Sequence, residues 1–281
     1  MKLPFSISKF YILDFGATHV RVLADTGDLL YEEKFQPSHC QSIESLNLKK
    51  MWLRLTKLSN HCHWNKDFNL FPKRIYCLSS GHISVSLKDV LHSFFAEYGF
   101  NLMLLNNQKI VGYSGYQKDS SDKYYVDFGY SSFRWFNSLS DQSCFETEGI
   151  LHLCQYLVLA IYEHMGFETD VAQIHELLCW PKNGRQFLRG RENGELVSRQ
   201  IATSFLDEQV SEWVNSQCKK IFWKLRAGDV SISRIMALGG GVEIDLLKKT
   251  FEAGFKTKIV EPPRASMFLL LAARNWIKEK A

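Results

Sequence analysis

Short stretches of alternating apolar residues punctuate this chain, separated by longer ones whose apolar positions recur with the spacing of a helix face. In the first part, strand patterns begin at Tyr11 and continue at 20–23, 29–35, 74–78 and 102–105, with helix patterns at 46–58 and 87–98. In the second part, strand patterns begin at Tyr124 and continue at 133–136, 143–146, 235–238 and 258–260. Helix patterns there run from 150 to about 164, from 197 to about 226, over 242–253 and over 264–278. The order βββαβαβ, written twice, predicts a duplicated α/β protein with a mixed sheet in each half.

An internal repeat supports the duplication. Tyr11-Ile12-Leu13-Asp14-Phe15-Gly16 returns as Tyr124-Tyr125-Val126-Asp127-Phe128-Gly129, about 113 residues later. Each copy opens a three-strand meander, with a turn at Asp25-Thr26-Gly27-Asp28 in the first. Between the elements lies an exposed excursion at 181–194 carrying Arg185, Arg189 and Arg191.

Composition narrows the function classes. With 281 residues, 46% of them hydrophobic, the chain has ample core material. Thirty-four basic and 30 acidic residues leave a net charge of +4, below the basic signature of a dedicated nucleic-acid binder. Seven scattered cysteines without a Cys-x-x-Cys pair fit reduced thiols, and no stretch reaches the length of a membrane span, so a cytoplasmic setting is expected. His61-Cys62-His63 with Cys40 fits no four-ligand zinc spacing and reads as a surface loop. Trp213 and Phe222 read as core packing, and Lys219, Lys220, Lys224 and Arg226 as a solvated face or a contact to a neighbouring copy.

The chemistry concentrates in three turns. A strand-end Asp followed by Gly and a hydroxyl residue sets a carboxylate beside backbone amides that cradle phosphate oxygens. Such a carboxylate holds Mg2+ through water. This pattern occurs at Asp14 and again at Asp127. The third turn, Gly239-Gly240-Gly241 between strand and helix patterns, lets backbone approach a flat or anionic ligand.

These motifs resemble those of the actin, sugar kinase and heat-shock chaperone ATPase superfamily over nearly the whole chain. Asp14-Phe15-Gly16-Ala17-Thr18-His19-Val20-Arg21 resembles the first phosphate loop, and Asp127-Phe128-Gly129-Tyr130-Ser131 the second. Gly239, Gly240 and Gly241 resemble the adenosine motif, and the segment from Gln108 the first connecting helix. The resemblance implies an RNase H-like duplicated fold, two lobes each with a five-stranded mixed sheet flanked by helices, and nucleotide in the interlobe cleft. The first lobe would take 1–123 and 264–281, the second 124–263. Phosphates would meet Gly16, Ala17, Thr18, Arg21, Gly129, Tyr130 and Ser131. Asp14 and Asp127 would hold Mg2+, and Gln108 would align the attacking water. Glutamine aligns but is no strong base, so slow hydrolysis of ATP or GTP follows.

The short spacing and the Arg-rich excursion most resemble ParM-like bacterial actins of plasmid segregation. That implies cytoskeletal filaments built head to tail from copies of the chain, reaching DNA through an adaptor protein, with no membrane partner. A small-molecule kinase on the same fold, or a nucleotide-binding scaffold that does not polymerise, are the competing readings.

Overall fold

The structure is a computed structural model that describes residues 10–16, 19–34, 48–62, 64, 73–79, 85–107, 110–111, 123–137, 140–179, 186–226, 234–262 and 264–280. The chain opens with an antiparallel meander of β1 (Phe10–Phe15), β2 (His19–Ala24) and β3 (Leu29–Lys34). Helix α1 (Leu48–His61) leads to β4 (Lys73–Ser79), and α2 (Val85–Glu97) to β5 (Phe100–Asn106). The added strands are parallel, giving the sheet order β3-β2-β1-β4-β5.

The same plan then returns. Strands β6 (Lys123–Phe128), β7 (Ser132–Asn137) and β8 (Ser140–Glu148) form the second meander. Helices α3 (Ile150–Met165) and α4 (Val171–Cys179) follow, then a separate two-stranded sheet of β9 (Gln186–Glu192) and β10 (Glu195–Ile201). Helix α5 (Thr203–Arg226), β11 (Arg234–Leu238), α6 (Asp245–Phe255), β12 (Ile259–Val260) and α7 (Phe268–Lys280) complete the chain. The second large sheet has the order β12-β11-β6-β7-β8, which matches the first sheet read from β5, element for element. Two compact units result, one of β1–β5, α1, α2 and most of α7, the other of β6–β12 and α3–α6. Among the described residues no helix is long and apolar enough to cross a membrane.

Each large sheet sorts its side chains by the period of two that a pleated strand imposes. In the first unit Leu13, Phe15, Val20, Val22, Tyr31 and Cys77 face a core shared with Met51, Leu55 and Leu58 of α1 and Leu91, Phe94 and Phe95 of α2. In the second, Phe133 packs on Trp213 of α5 at 6.1 Å and on Phe251 of α6 at 5.8 Å. Phe222 of α5 meets Phe255 at 5.2 Å. Full burial of each such aromatic contributes about 1.5–3 kcal/mol, which makes these faces the main source of stability in each unit.

One segment departs from the sequence expectation. Residues 197–201, read as the start of a long helix, form β10 instead, and the helix begins only at Thr203. The spacing of Val197 and Ile201 fits a helix turn, but Asn193 and Gly194 both adopt positive φ, 52° and 85°. They make the Asn-Gly turn that favours a two-stranded hairpin. Helix α4 was not anticipated, and His61 lies at the end of α1, its ring 5.0 Å from that of Tyr31, rather than in a loop.

Two close contacts tie the second meander to its helices. Gly149 precedes α3 with ordinary extended backbone, but a Cβ there would lie 2.5 Å from Ser132 N, 2.6 Å from Ser131 C and 2.7 Å from Tyr130 O. All three are backbone atoms with no room to yield. Tyr130 is buried and packs edge-on against His175 of α4 at 5.2 Å. The His175 Nδ1 is buried with no hydrogen-bond partner among the described residues, and burial holds this imidazole below the usual histidine range.

Gly149→Ala is therefore predicted to destabilise the second unit by about 1–3 kcal/mol, the range for overpacking; a urea denaturation midpoint equal to that of the unsubstituted chain would contradict the contact. For His175 the unfolded chain takes up its proton first on acidification, so stability is lost as pH falls through about 6.5, the unfolded value. Thermal unfolding between pH 7 and 5 should show a shallower decline in His175→Phe, and an identical decline would refute the assignment.

Candidate functional site

In the first unit Asp14 is the next-to-last residue of β1, and the register aligns it with Arg21 on β2, which is in turn aligned with Glu32 on β3. This row lies on the face of the sheet opposite Leu13, Phe15 and Val20, so it is kept off the aromatic core by strand alternation alone. Arg21 is only 3% exposed, and its Nε donates to Glu32 Oε1 at 2.7 Å. That hydrogen bond holds the Glu32 carboxyl below the usual range. A buried guanidinium needs such a partner, because losing it would leave an uncompensated charge.

His19 joins the row. Its Nε2 lies 3.1 Å from Asp14 Oδ2 and 3.1 Å from Arg21 Nη1. A carboxylate only accepts and a guanidinium only donates, so this one nitrogen serves one of them at a time. With Asp14 ionised, Nε2–H donates to Asp14. The Gly16 N–H donates to the His19 carbonyl at 2.9 Å, closing the turn beside the carboxylate. Ala17 and Thr18 lie outside the described residues, as does Gln108. Cys77, on the neighbouring strand, is pushed up to about 12, first by burial and then by the charge of Asp14, so it stays a protonated thiol.

The second unit repeats the row. Register sets Asp127 beside Arg134, and Arg134 beside position 146, a glutamate. The Asp-Arg-Glu order across three strands is thus present in both meanders, although only the Asp-Phe-Gly part stands out in the sequence. Asp127 carries a further neighbour. A Cβ at Gly239 would fall on Asp127 Oδ1 well inside contact distance and 3.1 Å from Phe128 O. Gly239 also has φ of +82°, where glycine is strongly favoured. A Cβ at Gly241 would lie 2.8 Å from Phe128 O and 2.9 Å from a methyl of Ile150. Parallel pairing of β11 with β6, Leu238 opposite Asp127, creates this proximity. The second acidic turn and the Gly-Gly-Gly turn, 110 positions apart in the chain, are therefore one structural element.

The amides of this turn are differently disposed from those of the helix after it. Ile150 N–H donates to Gly129 O at 3.3 Å and Leu151 N–H to Tyr130 O at 2.8 Å. Two of the four donors that a helix start leaves unpaired are thus satisfied by the turn's own carbonyls. Tyr130, where a small residue is usual in the resembled motif, fills the space against His175. Asp14, a quarter exposed, and half-buried Asp127 are single carboxylates beside glycine turns. That suits Mg2+, which takes one or two protein carboxylates and keeps water and phosphate for the rest.

No protein-family model and no curated protein matches this chain. Solved structures do. The crystal structure of MreB 5 of Spiroplasma citri bound to AMPPNP is 11% identical and aligns over 98% of both chains with a TM-score of 0.72. The MamK double helical filament is 13% identical, with 96% of this chain and 98% of that chain aligned and a TM-score of 0.68. The ethanolamine utilization protein EutJ from Carboxydothermus hydrogenoformans is 11% identical, with 97% and 90% aligned and a TM-score of 0.63. Two five-stranded mixed sheets with the same order, each opening on an Asp-Phe-Gly turn, and these alignments together identify the fold as that of the actin-like ATPases.

Proposed function

We propose that this chain binds a magnesium-complexed nucleoside triphosphate, ATP or GTP, and assembles with copies of itself into filaments in a nucleotide-dependent way. The observation that carries this reading is the fit of Gly239 against the Asp127 carboxylate, a contact with no room for any side chain. Similar folds have been solved with AMPPNP, with ADP and as a double helical filament, which supports the reading.

In this proposal Asp14 and Asp127 hold the hydrated Mg2+, which neutralises phosphate charge. Backbone amides of Ala17 and Thr18, and of Tyr130 and Ser131, take phosphate oxygens, while Gly16 and Gly129, whose own N–H groups close the turns, let the phosphates approach the backbone. Arg21, fixed by Glu32, adds positive charge from a rigid position. Gly239, Gly240 and Gly241 offer flat backbone to the base and ribose, and Gln108 aligns the water for slow hydrolysis. Segregation of DNA through a DNA-binding adaptor, in the manner of ParM-like proteins, is the cellular use this reading favours.

Asp14→Asn and Asp127→Asn are each expected to weaken Mg-ATP binding by roughly tenfold or more, the scale of a lost charge-assisted contact. Light scattering of the unsubstituted chain should rise with Mg-ATP and return to baseline with EDTA. A monodisperse monomer that phosphorylates a small acceptor would replace the filament reading with a kinase.

Gly239→Ala should abolish nucleotide binding, since it combines a left-handed backbone with a collision at Asp127. Gly166→Ala is the control, with φ of +62° but nothing within 4 Å of its Cβ. It should lose only about 1 kcal/mol of stability and keep its ligand; equal nucleotide affinities in the two variants would count against the role of the Gly239 turn.

A further inference from the structure

The hairpin of β9 and β10 has one face committed to its own unit and one left open. Leu188 and Ile201 are buried, Gly190 lies against the Phe167 ring, and Arg199 Nη1 donates to Met165 O at 2.9 Å and to Glu192 Oε1 at 3.0 Å. Those contacts hold the inner face. Strand alternation sends Phe187, Arg189 and Arg191 to the other face, and register sets Leu196 opposite Arg191 there. Phe187 and Leu196 are each more than half exposed, Leu196 at 80%. Glu168 bridges to Arg191 through the backbone and lies beside it, yet among the described residues neither outward arginine has an ion pair. Single exposed apolar residues are ordinary, but a cluster rimmed by charge marks a contact surface.

A surface of opposite charge lies on the same unit. Helices α3 and α5 pack antiparallel, Tyr156 Oη donating to Gln209 Oε1 at 3.1 Å and the His164 ring meeting that of Phe205 at 5.5 Å. Beside this seam α3 exposes Leu159 and Tyr162, again each by more than half. Glu163 of α3 and Glu208 and Glu212 of α5 are exposed as well. Burial first, then Glu212 and Glu163, push the Tyr156 hydroxyl up to about 12, which puts both carboxylates at the seam. Residues 150–165 and 203–214 contain no lysine or arginine, so neither stretch carries a cation to offset this charge. Helix α3 starts on the carbonyls of Gly129 and Tyr130, so the seam is joined directly to the second acidic turn.

We propose that the outward face of the hairpin docks on the α3–α5 seam of a second copy of this chain, Phe187 and Leu196 against Leu159 and Tyr162, and Arg189 and Arg191 against Glu163 and Glu208. The inference rests on the filament reading above and names its contact. A second copy is the occupant because the matching surface, apolar and acidic, belongs to the same chain. The two halves sit on separate elements, so the contact is heterologous and each copy keeps one half for the next. A handful of side chains on each side, against about 20–30 residues a side in a stable interface, makes an isolated pair weak and an array necessary.

Light scattering and pelleting with Mg-ATP test it on two charge-reversed chains, Arg189→Glu/Arg191→Glu and Glu163→Arg/Glu208→Arg, all four positions being exposed. Each alone should raise the concentration needed for assembly roughly tenfold or more, because like charges then face each other across the contact. Calorimetry should find Mg-AMPPNP binding unchanged, and the thermal midpoint should stay at that of the unsubstituted chain. Mixed in equal amounts, the two variants should assemble again: the acidic hairpin of one meets the basic seam of the other, and the remaining pair of surfaces is unaltered. Assembly of either variant at the unsubstituted concentration, or a mixture that does not recover, overturns the contact and leaves the filament reading standing. Loss confined to the hairpin variant, together with loss of binding to phosphatidylglycerol vesicles, also overturns it and assigns the outward face to a membrane surface. An unsubstituted chain that never assembles overturns the filament reading itself, and this contact with it.

Discussion

The pleat of a β-strand sends neighbouring side chains to opposite faces, and both large sheets depend on that alternation. Leu13 and Phe15 must reach the α1–α2 core, so Asp14 between them is turned to the other face; Phe128 does the same for Asp127. Hydrophobic burial, the largest stabilising force available, thereby sets the face on which the acidic groups lie, and His19 then adds a polar contact to Asp14. The cross-strand rows follow from it. Arg21 and Glu32, or Arg134, share the carboxylate's face because antiparallel register makes them its lateral neighbours.

Within the second unit, close packing replaces side chains with backbone at the points where elements meet. Gly149 sits against the turn of residues 130–132, Gly241 against Phe128, and Gly239 against Asp127. The first amides of α3 are taken up by carbonyls of Gly129 and Tyr130. The Gly129 N–H is taken up as well, by the Asp127 carbonyl, so neither it nor the first two amides of α3 is left for an approaching anion. Helix α5 serves two ends at once: Trp213 anchors it on the aromatic face, and Gln217 and Lys220 grip Glu148 at the strand end.

Local pattern was sufficient for most elements of the two meanders and for the Asp-Phe-Gly turns, since strand alternation and turn residues act over a few positions. It misled at residues 197–201, where i and i+4 apolar spacing outweighed an Asn-Gly pair that specifies a hairpin. The Glu32 and His19 contacts in the Asp14 row were legible only in part: the residues are near in sequence, but Glu32 meets Arg21 only through the register of β2 with β3, which shifts between Val22 and Leu23. Gln217 and Glu148, 69 positions apart, gave no sequence signal at all.

By itself, the sequence determined the duplication, the succession of strands and helices, and two carboxylates at strand ends, because each is written in short-range periodicity and in the repeat. Tertiary structure alone decided that β11 lies beside β6, bringing Gly239 onto Asp127, and that α5 packs against the end of β8, bringing Gln217 and Lys220 onto Glu148. Those outcomes rest on parallel pairing and helix packing between segments far apart in the chain, where the identity of the neighbour is set by the fit of whole surfaces and leaves no mark on either segment.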